Sequence, residues 1–79
     1  MDAVEVPVVE VRAEFAANVW QVPAVVGQAV AAGDVIAVLE SMKMEIEVQA
    51  PVDGTIVSVH VMPDQPVAGG DLLAVIEAG

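Results

Sequence analysis

The residues best suited to chemistry lie together in Glu40-Ser41-Met42-Lys43-Met44-Glu45. Lys43 is the only lysine in a chain of 79 residues that holds 12 Asp+Glu against 2 Lys+Arg. A lysine amine is an acyl acceptor, but with an ordinary pKa of about 10.4 only some four in ten thousand are neutral at pH 7. Such an amine stays quiet until an enzyme strips its proton beside an activated acyl group. No other side chain carries a primary amine, so Lys43 is a uniquely addressable modification site. Met42 and Met44 set flexible, polarizable apolar surface on either side of it, suited to recognition by several partners. For Met42, next to the lysine, recognition is the expected role. Met44 is in phase with Ile46 and Val48, so core filling and recognition both remain open for it. Glu40, Ser41 and Glu45 complete the flanks.

No other group of residues supports catalysis or metal binding. His60 has no second His, Cys or carboxylate at ligand spacing and reads as an ordinary strand residue. Asp34 and Asp71 each follow a glycine and read as turn residues. There is no Ser/His/Asp set, no glycine-rich phosphate loop and no cysteine, so no catalytic residue, metal site or disulfide is expected. A formal net charge of -10 opposes binding to nucleic acid, which needs a basic footprint, and to an anionic membrane. Partners drawn by charge should present basic surface; the same acid also keeps a very aliphatic chain in solution.

The elements that position Lys43 follow from composition and repetition. At this length one small domain is expected, spanning 1–79. Residues are 57% hydrophobic, mostly Val, Ala, Ile and Leu, and Cβ branching favours strands. No apolar run approaches the roughly 20 residues of a membrane span. Met1-Asp2-Ala3-Val4-Glu5 lacks the basic start of a signal peptide, so a cytoplasmic location is expected.

Gly33-Asp34 recurs as Gly70-Asp71, an offset of 71 − 34 = 37 residues. In phase with it, Gln28, Val30, Ala31, Ala37, Val38 and Glu40 match Gln65, Val67, Ala68, Ala74, Val75 and Glu77. Ala13 faces Ala50, and Val19-Trp20-Gln21-Val22 faces Ile56-Val57-Ser58-Val59. Two copies are too few for a solenoid but fit two half-domains about a pseudo-two-fold axis. Val4–Val11 and Val19–Val26 are strand-like, with Pro7 and Pro23 marking edges or breaks. Gly33 and Gly70 mark turns that need positive φ. Asp53-Gly54 reads as a hairpin turn. Ala17 stands where the repeat would put a second glycine, so Asn18 is expected to take the left-handed conformation instead. Trp20 is expected to anchor on the sheet surface or core edge. No useful amphipathic helix is present. The reading is all-β, a small sandwich or flattened barrel.

From Val35 to Ala50 there is no Gly, Pro, Asn or Asp. A single strand of those 16 residues would run roughly 50 Å. A domain of this length has a radius of gyration near 12 Å. The strand must therefore fold back, and its midpoint falls between Met42 and Lys43. Lys43 is thus expected at the tip of a tight hairpin. By the pseudo-two-fold, the chain termini should share one pole and Lys43 should occupy the other.

From about Val11 to Glu77 these features resemble the biotinyl domain, the carrier module of biotin-dependent carboxylases. The family's mark is Ala-Met-Lys-Met in an exposed hairpin, and Ser41-Met42-Lys43-Met44 occupies that place with Ser for Ala. Ala50-Pro51-Val52-Asp53-Gly54-Thr55 resembles the turn after that hairpin, and Gly70-Asp71-Leu72-Leu73 the final turn and strand. The extra protruding segment of some biotinyl domains has no room between Val22 and Gly33. The resemblance implies a barrel-sandwich hybrid of two four-stranded sheets. It implies biotin joined to Lys43 as an amide by a biotin protein ligase, with Met42 and Met44 read by the ligase. It further implies an arm that carries carboxylate from a biotin carboxylase to a carboxyltransferase acting on an acyl-CoA or keto acid such as pyruvate. The chain itself would catalyse neither step. A lipoyl domain shares the fold and the hairpin lysine, but its flanks resemble Asp-Lys-Ala, from which Met42-Lys43-Met44 departs on both sides. An unmodified β-sandwich interaction module is the other reading.

Overall fold

Valine-rich stretches with alternating exposure build eight strands in a computed structural model that describes residues 7–79. They are β1 Val8–Arg12, β2 Ala17–Gln21, β3 Ala29–Val30, β4 Val35–Ser41, β5 Met44–Gln49, β6 Gly54–Val59, β7 Pro66–Val67 and β8 Leu72–Ala78. No helix occurs among the described residues. One sheet runs β1-β8-β6-β3 and the other β5-β4-β2-β7, each antiparallel throughout. Adding 37 residues to the strands of the first half and subtracting 37 from those of the second turns one order into the other, so the expected two-fold duplication is real. Every connection but one crosses between the sheets; only β4 and β5 are joined within a sheet.

The core is itself duplicated. Its largest fully buried side chains are Ile36, Leu39, Val19, Leu73, Ile76 and Ile56. They form three pairs at the repeat offset: Ile36 with Leu73, Leu39 with Ile76, and Val19 with Ile56. Each such side chain contributes about 1.5–3 kcal/mol by leaving water. The central strands β4 and β8 supply four of the six, which is why their sequences read as unbroken aliphatic runs.

The turns obey the same symmetry in their hydrogen bonds. Gly33 N donates to Ala50 O (2.8 Å) and Gly70 N to Ala13 O (2.7 Å). The Asp34 carboxylate accepts from Ala31 N (2.9 Å) and the Asp71 carboxylate from Ala68 N (2.8 Å), as expected of turn residues. Gly33 and Gly70 have φ of 96° and 92°, the left-handed region glycine enters without penalty. Each turn thus ties one half of the chain to the other half's strand.

Three expectations change, and a fourth falls partly outside the described residues. β2 ends at Gln21, before Pro23, instead of reaching Val26. β1 begins at Val8, and the proposed start at Val4 lies outside the described residues. Asn18 is paired in β2 with Glu40 and Pro66 and is not left-handed. Asp53-Gly54 is not a hairpin, because β5 and β6 lie in different sheets. Gly54 is required for another reason: a Cβ there would overlap the Glu77 carbonyl and the Ile76 side chain.

Ala78 N donates to Pro7 O (2.9 Å), and Gly79 N to Asp53 O (3.2 Å). The Asp53 carboxylate accepts from Ala32 N (2.7 Å), beside the start of β4. Both ends of the described chain therefore meet at the foot of β4, and its seven residues put the β4–β5 turn about 20 Å away.

Gly54→Ala should lower the unfolding free energy by about 2–3 kcal/mol through overpacking. Gly33→Ala, strained only by its positive φ, should lose about 1–2 kcal/mol. Urea denaturation of both variants checks the order.

Candidate functional site

The β4–β5 pairing decides what the turn can present. Its register is Ala37 with Val48, Leu39 with Ile46, Glu40 with Glu45, and Ser41 with Met44. Leu39 is buried and Ile46 and Val48 are half-buried, while Glu40, Glu45 and Glu47 face solvent. A slip of one residue would drive those carboxylates into the core, so the register is locked. That lock leaves two residues, Met42 and Lys43, to reverse the chain.

Both have positive φ, 51° and 66°. Two left-handed central residues are the mark of a type I′ turn, the usual two-residue hairpin link, whose preferred sequence is Asn-Gly. Met and Lys in those places each oppose the turn by about 1–2 kcal/mol. The chain tolerates the strain because the strands on either side are held by the core. The absence of turn residues, noted in the sequence, is thus a local conflict overridden by packing.

Lys43 is exposed at this tip, as the sequence analysis expected, and no ion pair among the described residues involves it. Arg12 is engaged, with Glu10 at 3.0 Å and the Gly70 carbonyl at 2.7 Å. Met42 is 92% exposed and Met44 63%. Met44 shares a strand face with Ile46 and Val48 but lies beyond the edge of the core, so core filling is excluded for it. Ser41 is half-buried; Glu40 and Glu45 are exposed and directly opposed across the strands, a pairing of like charges that disfavours the hairpin slightly. All six residues singled out from the sequence sit on or next to one turn.

Other candidates do not join them. His60 is exposed, with its Nε2 at 2.8 Å from Ser58 Oγ, and no group of His, Cys, Asp or Glu among the described residues could hold a metal. A cleft of about 320 Å³ opens between β1 and β5 over Val11, Leu39, Ile46 and Val48, without a histidine or hydroxyl on its rim. No helix among the described residues is long and apolar enough to cross a membrane. Asp64, which its local sequence did not single out, also has positive φ (69°). The signal for it was the offset, which pairs it with Gly27 (φ 90°). The arrangement can offer an accessible amine on a two-residue turn whose flanking strands are fixed by the core.

Comparison with known proteins bears on what the amine receives. The family described as "Biotin-requiring enzyme" (biotin–lipoyl) matches residues 3–76. A "Biotinylated protein TB7.3 homolog" of Mycobacterium leprae (strain TN) is 51% identical over 45 residues, which are 57% of this chain and 63% of that relative. A single-chain, multi-domain long-chain acyl-CoA carboxylase superposes with a TM-score of 0.86 at 38% identity, over 98% of this chain and 8% of the carboxylase. The Kluyveromyces lactis urea carboxylase gives 0.83 at 31%, over 95% and 7%. The chain thus corresponds to under two thirds of the curated relative and to a small part of each carboxylase.

Replacing Met42-Lys43 by Asn-Gly should relieve the turn and raise the melting temperature by about 5–10 °C. Met42→Ala with Met44→Ala should leave the unfolding free energy within about 0.5 kcal/mol, since neither side chain is in the core. A thermal melt of each variant decides both points.

Proposed function

The chain belongs to the biotin-requiring enzyme family, and we propose on that basis that residues 1–79 form one carrier domain loaded at Lys43. Biotin is the group we assign to it, held as an amide on Nζ. The observation that carries this reading is the coincidence of the chain's only lysine with its only within-sheet turn among the described residues.

The residues suit such a group. An acylating enzyme must surround the amine, and the two-residue turn exposes Lys43 together with both neighbours. Met42 and Met44 then give a biotin protein ligase two apolar handles, with Glu40, Ser41 and Glu45 as the flanks it passes. Amide formation takes two protons from the ammonium as the N–C bond forms and the activating group leaves. The formal charge moves from -10 to -11, because the Lys43 charge is lost. When bound, biotin supplies a ring nitrogen on which carboxylate can be placed and removed. The chain's own part is to hold that group on a long arm, outward and away from Pro7 and Gly79. Tethering replaces diffusion of a free carrier by a high local concentration at each partner. Those partners are a biotin carboxylase and a carboxyltransferase, with an acyl-CoA acceptor favoured by the 38% identity to an acyl-CoA carboxylase.

Co-production with a biotin protein ligase should give a positive avidin blot and an intact mass raised by one biotinyl group, and Lys43→Arg should give neither. A parallel sample with a lipoate ligase should stay unmodified. A wild-type protein that gains a lipoyl group, or nothing, overturns the reading.

A further inference from the structure

Because the two halves share one backbone, each is a control for the other at exposed positions: where equivalent exposed residues differ, core packing has not made the choice. The outer faces of the two sheets differ most in one place. β2 and β6 each carry a bulge, at Trp20 and at Val57, which are equivalent by the offset of 37. A bulge re-aims its side chain, and here both point to solvent, Trp20 at 43% exposure and Val57 at 40%. Beside Trp20 lies a hollow lined by Asn18, Val19, Glu40 and Asp64. The Asp64 amide anchors the loop there through the Val19 carbonyl (2.7 Å), as Gly27 does through Ile56 (2.7 Å). Its counterpart surface would hold Thr55, Ile56, Val57, Glu77 and Gly27. An indole and a second carboxylate are thus present on one side alone, and the carboxylate occupies a left-handed position that glycine fills in the other half.

The surrounding charge diverges in the same sense. On the outer face of β5-β4-β2, Glu40, Glu45 and Glu47 have no ion-pair partner among the described residues. On the other sheet the equivalents are Glu77, Val8 and Glu10, and Glu10 is paired with Arg12. The face that ends in the Lys43 hairpin is therefore acidic, aromatic and uncovered. A flat cation that stacks on an indole and donates hydrogen bonds to carboxylates from its edge is the guanidinium of arginine.

We propose that this face is the docking surface for an arginine-bearing surface of the carboxylase partner, with the guanidinium seated between Trp20, Glu40 and Asp64. The proposal rests on the carrier reading above. Position selects the carboxylase over the ligase. An enzyme that brings an activated acyl group to the Lys43 nitrogen must sit over the tip, whereas one that works on the far end of the biotin arm must grip the domain by its flank.

The test uses substitutions that copy the other half, Trp20→Val and Asp64→Gly, whose backbone settings already accept those residues at Val57 and Gly27. Val57→Ala on the opposite sheet is the control. Each biotin-loaded protein is given to the biotin carboxylase and carboxyltransferase of its own organism, and KM for the carrier and kcat are measured at low and high salt. Trp20→Val and Asp64→Gly should each raise KM about three- to tenfold, with kcat within twofold and the difference shrinking as salt rises. Val57→Ala should leave KM unchanged, and the ligase should load all four proteins at equal rates. An unmoved KM in biotin-loaded variants overturns the docking surface alone. A matching fall in the ligase rate reassigns the face to the ligase and also overturns it. A wild-type protein that takes no biotin overturns the carrier reading, and this proposal with it.

Discussion

Backbone hydrogen bonds at the turns lace the two halves together, among them Gly33 to Ala50, Gly70 to Ala13, Gly27 to Ile56, and Asp64 to Val19. In each, a turn of one half closes onto a strand of the other or onto the residue just past its end. Neither half can complete its own turns, so the halves stand or fall jointly. The buried groups repeat the pattern, with Ile36 against Leu73 and Leu39 against Ile76 as equivalent contributors to one core. A chain of this size hides only about 60% of its unfolded surface. Interlocking is what makes so small a core sufficient, because burial and backbone pairing are satisfied by the same contacts.

Stiffness at the hairpin follows. β4 lies between β5 and β2, so the strand leading to Met42 is fixed on both sides. Leu39 is buried, and its partner Ile46 sets the phase of β5. Strain at two left-handed residues is sustained because the strands cannot slide to relieve it. A lysine in this setting has a defined exit direction, and no ion pair among the described residues holds its side chain. Carrier chemistry needs both properties, a mount that does not bend and an arm that does.

Much of this was legible in the residues. The offset of Gly33-Asp34 from Gly70-Asp71 announced the duplication, and the unbroken stretch from Val35 to Ala50 demanded a reversal at Lys43. Local signals misled where a residue's role depended on a distant neighbour. Asp53-Gly54 looks like a hairpin, yet Gly54 is small because the Glu77 carbonyl passes beside it. Asn18 looks left-handed, yet it pairs in a strand. Met44 was ambiguous because periodicity tells which face a side chain occupies but not how far the core extends along that face. Asp64 was hidden for the opposite reason: its strained backbone shows only against Gly27, thirty-seven positions earlier.

The meeting of Pro7 with Ala78, and of Gly79 with Asp53, has a mechanical consequence. Pro7 and Gly79 lie at one end of the described fold, and a rotation about that end would have a single pivot. The turn at Lys43 lies at the far radius from that pivot, where a given rotation sweeps the widest arc. A small rotation about that end would displace the tip further than any other part of the fold.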